Sequence, residues 1–584
     1  MRDIHKRYAR ESYGPDGVLT ELSLVFPEDY NFAYDVVDDI AIAEPERPAM
    51  VWCNPQGEEH RFSFGDMKHF SDKTANFLAA QGIGAGDLVL VILRRHYQFW
   101  FAALALNKLG AVLVPATFML KEHDLAYRVN SASIKAIICT DVGDIAQTVD
   151  AALPLCPTLE TRILVNGGGE AAASAGICER RVEREGWLDF NAGVLEASPV
   201  FEARATRAAD PMILYFSSGT SGNPKMVLHD SSYSLAHLGT AKHWHKVRSD
   251  GGVHFTIADT GWGKAVWGKF YGQWLMEACV FTYDFDRFDA DEICALIKRY
   301  RVTTFCCPPT MYRLIMQGDT ESYDLSSLEH STAAGEALNP DILASWRKLT
   351  GLGIYDGFGQ TETPLVVANM VGMTPKPGSM GRPLPLYETR ILDANAHECA
   401  VGQTGEICIR TDTGNPEQPW PPGIMLEYYR DATKTARALS QGWYHTGDMA
   451  WRDEDGYFYY VGRNDDVIKS SGYRIGPFEI ESVLLEHPAV RECAVTGVPD
   501  PVRGAAVKAT IVLAEGFVEG EELTRELQAW VKGQTAPYKY PRVIAYVSQL
   551  PKTVNGKVRR AAIRAADEAG TAAAAARPPE EFGG

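Results

Sequence analysis

The stretch from Asp87 to Ala116, DLVLVILRRHYQFWFAALALNKLGAVLVPA, limits the folds open to this chain more than any other. DLVLVIL is an apolar run of strand length, YQFWFAALALNKLG reads as a helix stopping at Gly110, and AVLVPA is a second apolar strand. Two buried strands joined by one helix form a βαβ unit, and that implies a parallel sheet. The same region is the most apolar in the chain, but Asn107, Lys108 and Gly110 interrupt it. It therefore reads as a buried helix and strand rather than a membrane span.

The α/β alternation continues beyond this unit. KAIICT and TRILVNG are further short strands, and GGGEAAASAG (Gly167–Gly176) reads as a surface insertion. A second alternation runs from about residue 210 to 370. From SMGRPLPLYETRILD to GEICIR the pattern turns to short strands and turns, as in a small β subdomain. After Arg463 a separate module is expected: a helix over PFEIESVLLEHPAV, strands ECAVTGV and VKATIVLA, a helix near Glu522 to Lys532, and the strand RVIAYV. A chain of 584 residues exceeds one ordinary core. The expected architecture is α/β. A large N-terminal domain of two α/β subdomains and a small β subdomain spans 1–464, a small mobile α+β domain 465–565, and a disordered tail 566–584.

Charge narrows the partners. With 75 acidic against 57 basic residues the net charge is −18, which repels phosphate backbones and anionic membranes. Nucleic acid and stable membrane association are not expected, and an anionic substrate needs a local positive site. The 11 cysteines are scattered with no C-x-x-C pair, and MRDIHKRYARESYG lacks the apolar middle of a secretory signal. Reduced thiols in a cytoplasmic protein are the expectation.

YFSSGTSGNPK (Tyr215–Lys225) follows the apolar run Met212–Leu214. Its hydroxyls and backbone N–H groups, from Ser217, Ser218, Gly219, Thr220, Ser221 and Gly222, can wrap a polyphosphate whose charge Lys225 offsets. The spacing is not that of a Walker loop. Alone, the segment reads more readily as a surface loop, as Ser/Gly-rich stretches usually are. Further stretches follow it: STAAGEAL (Ser331–Leu338), DGFGQTET (Asp356–Thr363), YHTGD (Tyr444–Asp448), GRNDDVIKSSGYRIGPFEIE (Gly462–Glu481) and LPKTVNGK (Leu550–Lys557). In this order the set resembles the adenylate-forming superfamily of acyl-CoA synthetases, peptide-synthetase adenylation domains and luciferases, over roughly residues 30 to 565. GRNDDVIKSSGYRIGP with DPVRG and TAPYKYPR, and ADTGWGKAVWGKFYGQW (Ala258–Trp274), are most similar to medium-chain acyl-CoA synthetases.

That resemblance implies a reaction in two halves. A carboxylate attacks the α-phosphate of ATP and expels pyrophosphate; the thiol of coenzyme A then attacks the acyl-adenylate and expels AMP. The first step joins two anions, so charge neutralisation and positioning carry it. By resemblance Lys557 reaches the substrate carboxylate and the α-phosphate, Thr361 donates to that phosphate, and Glu362 is the Mg²⁺ ligand. Gly335, Glu336 and Ala337 border the adenine, Asp356 and Gly357 lead into that wall, and Phe358 stacks on the base where many relatives carry tyrosine. Gly359 and Gln360 complete this nucleotide segment, Asp448 accepts the ribose hydroxyls, and Arg463 supports ribose or phosphate. Asp465 matches the family's hinge, while Ser471, Gly472, Tyr473 and Arg474 face coenzyme A. Trp262 caps the acyl pocket with Gly263 leaving width beside it, as suits a short- to medium-chain acid, branched acids included; Trp267 reads more readily as core. Acylation of Lys557 would remove its charge, which makes a protein deacylase a candidate partner. Two other functions share these features: a stand-alone adenylation enzyme that loads a carrier protein, and a non-catalytic acyl or nucleotide sensor. SSGYRIG favours coenzyme A over a carrier, and the presence of Lys557 and Glu362 argues against a sensor.

Overall fold

The computed structural model describes residues 2–166, 177, 181–217, 223–336, 338–416, 418–470, 473–552 and 558–575. It is a mixed α/β structure that divides into two compact units. The first comprises Met1–Ser217, Pro224–Thr389 and Ile409–Tyr444; the second comprises Ser218–Asn223, Arg390–Cys408 and His445–Gly584. The expected insertion Gly167–Gly176 lies outside the described residues.

The βαβ unit forms as expected in the first unit. Strands Leu88–Ile92 and Val112–Pro115 run parallel, and the helix Gln98–Leu109 between them ends where Gly110 adopts φ 69°. All the residues of both strands are buried, because sheet neighbours and helices cover them on both faces. Ala136–Thr140 and Thr161–Val165 extend the sheet in parallel. Pro211–Ser217 joins the other edge parallel to Val112–Pro115, and Lys225–Asp230 returns antiparallel to it with Lys225 opposite Ser217.

A second parallel array follows from the alternation over residues 210 to 370. Cys279–Tyr283, Val253–Thr256, Thr304–Cys306, His330–Ala333 and Ile354–Gly359 lie side by side in that order. Phe255, Phe281, Phe305, Tyr312 and Trp346 form the centre of its core. At Ile354–Gly359 the pairing turns antiparallel, through Leu365–Ala368 to Ser379–Pro383.

In the second unit, Trp443–Arg452 and Phe458–Arg463 pair antiparallel. Val490–Asp500, Gly504–Leu513 and Val543–Tyr546 form a three-stranded sheet against which helices Pro477–Leu485 and Glu521–Gln534 pack. The helix expected over PFEIESVLLEHPAV stops at Leu485. Pro488 disfavours helical backbone at His487, and the chain turns there into a strand that runs from Val490 to Asp500. A second difference concerns the expected tail: the helix Arg560–Ala575 extends ten residues past position 565. Its alanine run has the highest intrinsic helix propensity, and Lys508 holds Asp567 against the sheet. Among the described residues ten cysteines are free, and no helix is long and apolar enough to cross a membrane.

Candidate nucleotide and acyl site

In open α/β sheets, ligands gather at the carboxyl ends of strands. Three such ends in the first unit carry the residues singled out above. Pro211–Ser217 ends at Ser217, His330–Ala333 ends at the Gly335–Glu336 turn, and Ile354–Gly359 ends at Gln360–Thr363.

Lys225 and Glu362, 137 positions apart, converge there. Glu362 is buried, its Oε1 accepts the Tyr428 hydroxyl at 2.9 Å, and Lys225 Nζ lies 3.9 Å from the same oxygen. Lys225 Nζ also donates to the Tyr428 hydroxyl at 3.4 Å. Tyr428 reaches this position on a two-residue edge strand, Glu427–Tyr428, that pairs with Leu228 and Val227. Thr361 is fixed through its carbonyl, which accepts from His229 Nε2 at 2.8 Å, leaving its side chain outside that bond. Gln360 Oε1 accepts the Tyr444 hydroxyl at 2.6 Å. Ser217 Oγ is buried with no partner among the described residues. Ser218, Gly219, Thr220, Ser221 and Gly222 lie outside the described residues, as does Ala337.

One short helix, Gly263–Lys269, touches all three strand ends. Gly263 and Trp267 are four positions apart and so share a face. Gly263 abuts the Tyr215 ring, which a Cβ would meet at 3.9 Å. Trp267 lies against Gly359, where a Cβ would come within 2.4 Å of the indole and 2.2 Å of the Pro364 carbonyl. Gly359 is therefore required by packing. Lys264 donates to the Ala334 carbonyl beside Gly335, whose φ of 96° is a left-handed conformation suited to glycine. Glu336 is exposed and accepts from Thr310 at 2.7 Å. Trp262 precedes this helix and is half-buried, its indole N–H without a partner among the described residues.

Asp356 is buried and its Oδ1 accepts from Gly357 N–H at 2.9 Å. Burial pushes its carboxyl up to about 8, although that hydrogen bond and the charge of Lys264 both act to lower it. The folded state thus holds this proton more tightly than the unfolded chain does. The resulting stabilisation is full below pH 3.8 and is lost as pH rises to about 8. Asp356→Asn should flatten the fall of Tm across that window, as a thermal-melt series in pH will read.

The second unit holds the remaining residues. Asp448 is buried opposite Arg463 in the strand pair. Its Oδ1 accepts the Tyr460 hydroxyl at 3.0 Å and its Oδ2 lies 3.3 Å from Arg463 Nη1. Asp465 follows in a turn, 3.6 Å from Arg463 Nε. Strands Ile468–Ser470 and Tyr473–Ile475 flank Ser471 and Gly472, which lie outside the described residues, as does the side chain of Arg474. Tyr473 is half exposed and stacks on Tyr538 at 4.0 Å. Lys557 too lies outside the described residues, but the chain on both sides of it is anchored. Lys552 bridges to Val558, and Arg559 N–H donates to the Pro551 carbonyl at 2.8 Å. Arg560 forms a fork on Glu481, with Nη2 donating to Oε2 at 2.6 Å and Nε to Oε1 at 3.1 Å, the strong bidentate geometry of a guanidinium on a carboxylate.

Tyr428, His229 and Lys264 were not anticipated from the sequence. A tyrosine in LEYYRD or a histidine in VLHDS carries no spacing that would mark it. Trp267 is buried, as a core residue is, and packs against Gly359 and the rings of Trp244 and His237.

Residues 37–418 match the family model for AMP-binding enzyme, and residues 479–557 match the AMP-binding enzyme C-terminal domain. Acyl-coenzyme A synthetase ACSM3, mitochondrial, of Pongo abelii is 40% identical over 558 residues, 94% of this chain and 92% of that protein. Acyl-coenzyme A synthetase ACSM5, mitochondrial, of Homo sapiens is 41% identical over 548 residues, 92% and 90% of the two chains. Among solved structures, the anthranilate CoA ligase AuaEII in complex with anthranoyl-AMP superposes with a TM-score of 0.82 at 27% identity, covering 94% of this chain and 99% of that one. These relatives overturn the expectation of a cytoplasmic location, since both acyl-coenzyme A synthetases are mitochondrial by name. That expectation rested on reduced thiols and the lack of a secretory signal, and neither separates one reducing compartment from another. By two family models in chain order and by full-length identity to its relatives, the chain belongs to the AMP-binding enzyme family.

Proposed function

We propose that this protein is an AMP-forming acyl-CoA synthetase that activates a carboxylic acid with ATP and passes the acyl group to coenzyme A. The observation that carries the reading is the convergence of Lys225, Tyr428 and Glu362 at the strand ends, in a chain about 40% identical to acyl-coenzyme A synthetases over nearly its whole length. A cation and a carboxylate at those strand ends are what a magnesium-bound triphosphate requires. Glu362 is a single buried carboxylate with one oxygen held by Tyr428, a donor set that fits Mg²⁺, which takes one or two carboxylates and leaves other positions to phosphate and water. Bound there, the ion would supply positive charge to the phosphates.

The residues of the chain divide the remaining work. Lys225 and the Ser217–Gly222 segment hold the phosphates, and Thr361 offers its hydroxyl to the α-phosphate. Phe358 and the Gly335–Ala337 segment enclose the adenine, and Asp448 with Arg463 binds the ribose. Lys557 neutralises the approach of the substrate carboxylate to the α-phosphate. After pyrophosphate leaves, rotation at Asp465 exchanges Lys557 for the Ser471–Arg474 segment, and the thiol attacks the acyl carbon as AMP departs.

The acyl group would lie beside the helix Gly263–Lys269, between Tyr215 and Gly359, with Trp267 limiting its depth as well as Trp262. A short- to medium-chain acid, straight or branched, suits that wall. The test is a panel from acetate to decanoate with 2-methyl-branched acids, scored by kcat/KM for AMP and thioester formation. Highest values among the short, medium and branched acids are expected. A maximum on longer chains contradicts the limited pocket, and adenylate that reaches only a carrier-protein thiol supports carrier loading instead.

A further inference from the structure

We infer that Glu406, Cys408 and His445 form a binding site for a thiophilic divalent cation of the zinc class. None of the three has a part in the reaction proposed above. Glu406 and Cys408 are two apart on the strand Gly405–Arg410 and therefore point to one face of the sheet. His445 sits on the neighbouring strand Trp443–Arg452. One ligand atom from each lies within 4.8 Å of the other two.

The distances fit tetrahedral coordination. His445 Nδ1 is 3.5 Å from Cys408 Sγ and 3.1 Å from Glu406 Oε2. A tetrahedral zinc with bonds of about 2.0–2.3 Å separates its nitrogen, oxygen and sulfur ligands by roughly 3.3–3.6 Å. A cation could thus enter with small side-chain adjustments. The set is also held in advance. Glu406 Oε1 accepts from Gly447 N–H at 2.7 Å, and Thr446 donates its hydroxyl to the Ile407 carbonyl at 2.7 Å, tying the histidine's strand to the strand of the other two ligands. Cys408 is fully buried and reduced, whereas Glu406 and His445 retain about a quarter of their side-chain exposure, enough for a solvent molecule as fourth ligand. A thiolate and an imidazole select zinc, cobalt or copper over magnesium. On binding, the metal–sulfur bond replaces the S–H bond and the thiol proton passes to solvent.

The test uses the full-length protein after chelator treatment, titrated with Co²⁺ and then Zn²⁺. Expected are one equivalent of Co²⁺ with an intense sulfur-to-cobalt charge-transfer band, its loss on adding Zn²⁺, and a rise in Tm with either ion. Cys408→Ala should remove the band, and Glu406→Gln should weaken Co²⁺ at least about tenfold while keeping the side-chain shape. Should Cys408→Ala not fold, as judged by circular dichroism, Cys408→Ser supplies oxygen in place of sulfur and must also lose the band. No band in the parent protein, or a band that survives removal of the Cys408 thiol, overturns the site and assigns any cobalt uptake to other groups.

Discussion

Lys557→Ala lowers acyl-adenylate formation by about 10²–10³-fold or more, the usual loss when one preorganised donor to a developing charge is removed. Thioester formation from supplied acyl-adenylate should stay near the parent rate. The split follows from the chemistry. Only the first half-reaction joins two anions, a carboxylate and a phosphate, and only there does an ammonium group lower the barrier by neutralising charge. Lys557 lies outside the described residues, and the chain on either side of it is anchored. The flanking residues Lys552 and Val558 bridge, and three residues beyond Lys557 the Arg560 fork on Glu481 fixes the start of the last helix. Separate assays of the two half-reactions, each under single-turnover conditions, make the measurement. Equal loss in both would mean that the substitution disturbs the module as a whole.

Glu362→Gln is the second large effect. Glutamine keeps the length of the side chain and an oxygen to accept the Tyr428 hydroxyl, but it removes the charge that faces Lys225 at 3.9 Å. Adenylation should fall by roughly 10²-fold, and the Mg²⁺ concentration for half-maximal rate should rise, because the one protein carboxylate in the proposed donor set has gone. The thioester half-reaction, which begins after pyrophosphate has left, should change little. Initial rates across a magnesium series provide the check. A slower enzyme with unchanged magnesium dependence would make Glu362 a structural partner of Tyr428 and Lys225 only.

The parts of this molecule that were legible in the sequence are those whose physics is local. Leu88–Ile92 and Val112–Pro115 are buried on both faces, so each reads as an unbroken apolar run, and Gly110 marks the helix end with its left-handed backbone. The segments proposed to hold the nucleotide rest on resemblance, since no local rule distinguishes Thr361 and Glu362 from an ordinary loop. Contacts between distant segments were not legible. Tyr428 meets Glu362 because a two-residue strand pairs at the sheet edge, and two residues carry no periodicity. Trp267 meets Gly359 because it lies one helical turn from Gly263, a relation that requires the helix to be placed first. The helix ending at Leu485 could have been anticipated, because Pro488 restricts the residue before it. The last helix runs past 565 because its alanine-rich sequence favours helix once Ile563 is buried and Asp567 is paired.

In the proposed reaction the enzyme joins a carboxylate to the α-phosphate of ATP reversibly, before any thiol takes part. Exchange of labelled pyrophosphate into ATP tests it directly, with enzyme, magnesium and an acid present and coenzyme A absent. Exchange is expected to depend on both acid and magnesium and to disappear in Lys557→Ala. A folded parent enzyme that exchanges no label with any acid of the panel, or one that exchanges equally well without acid, would contradict it.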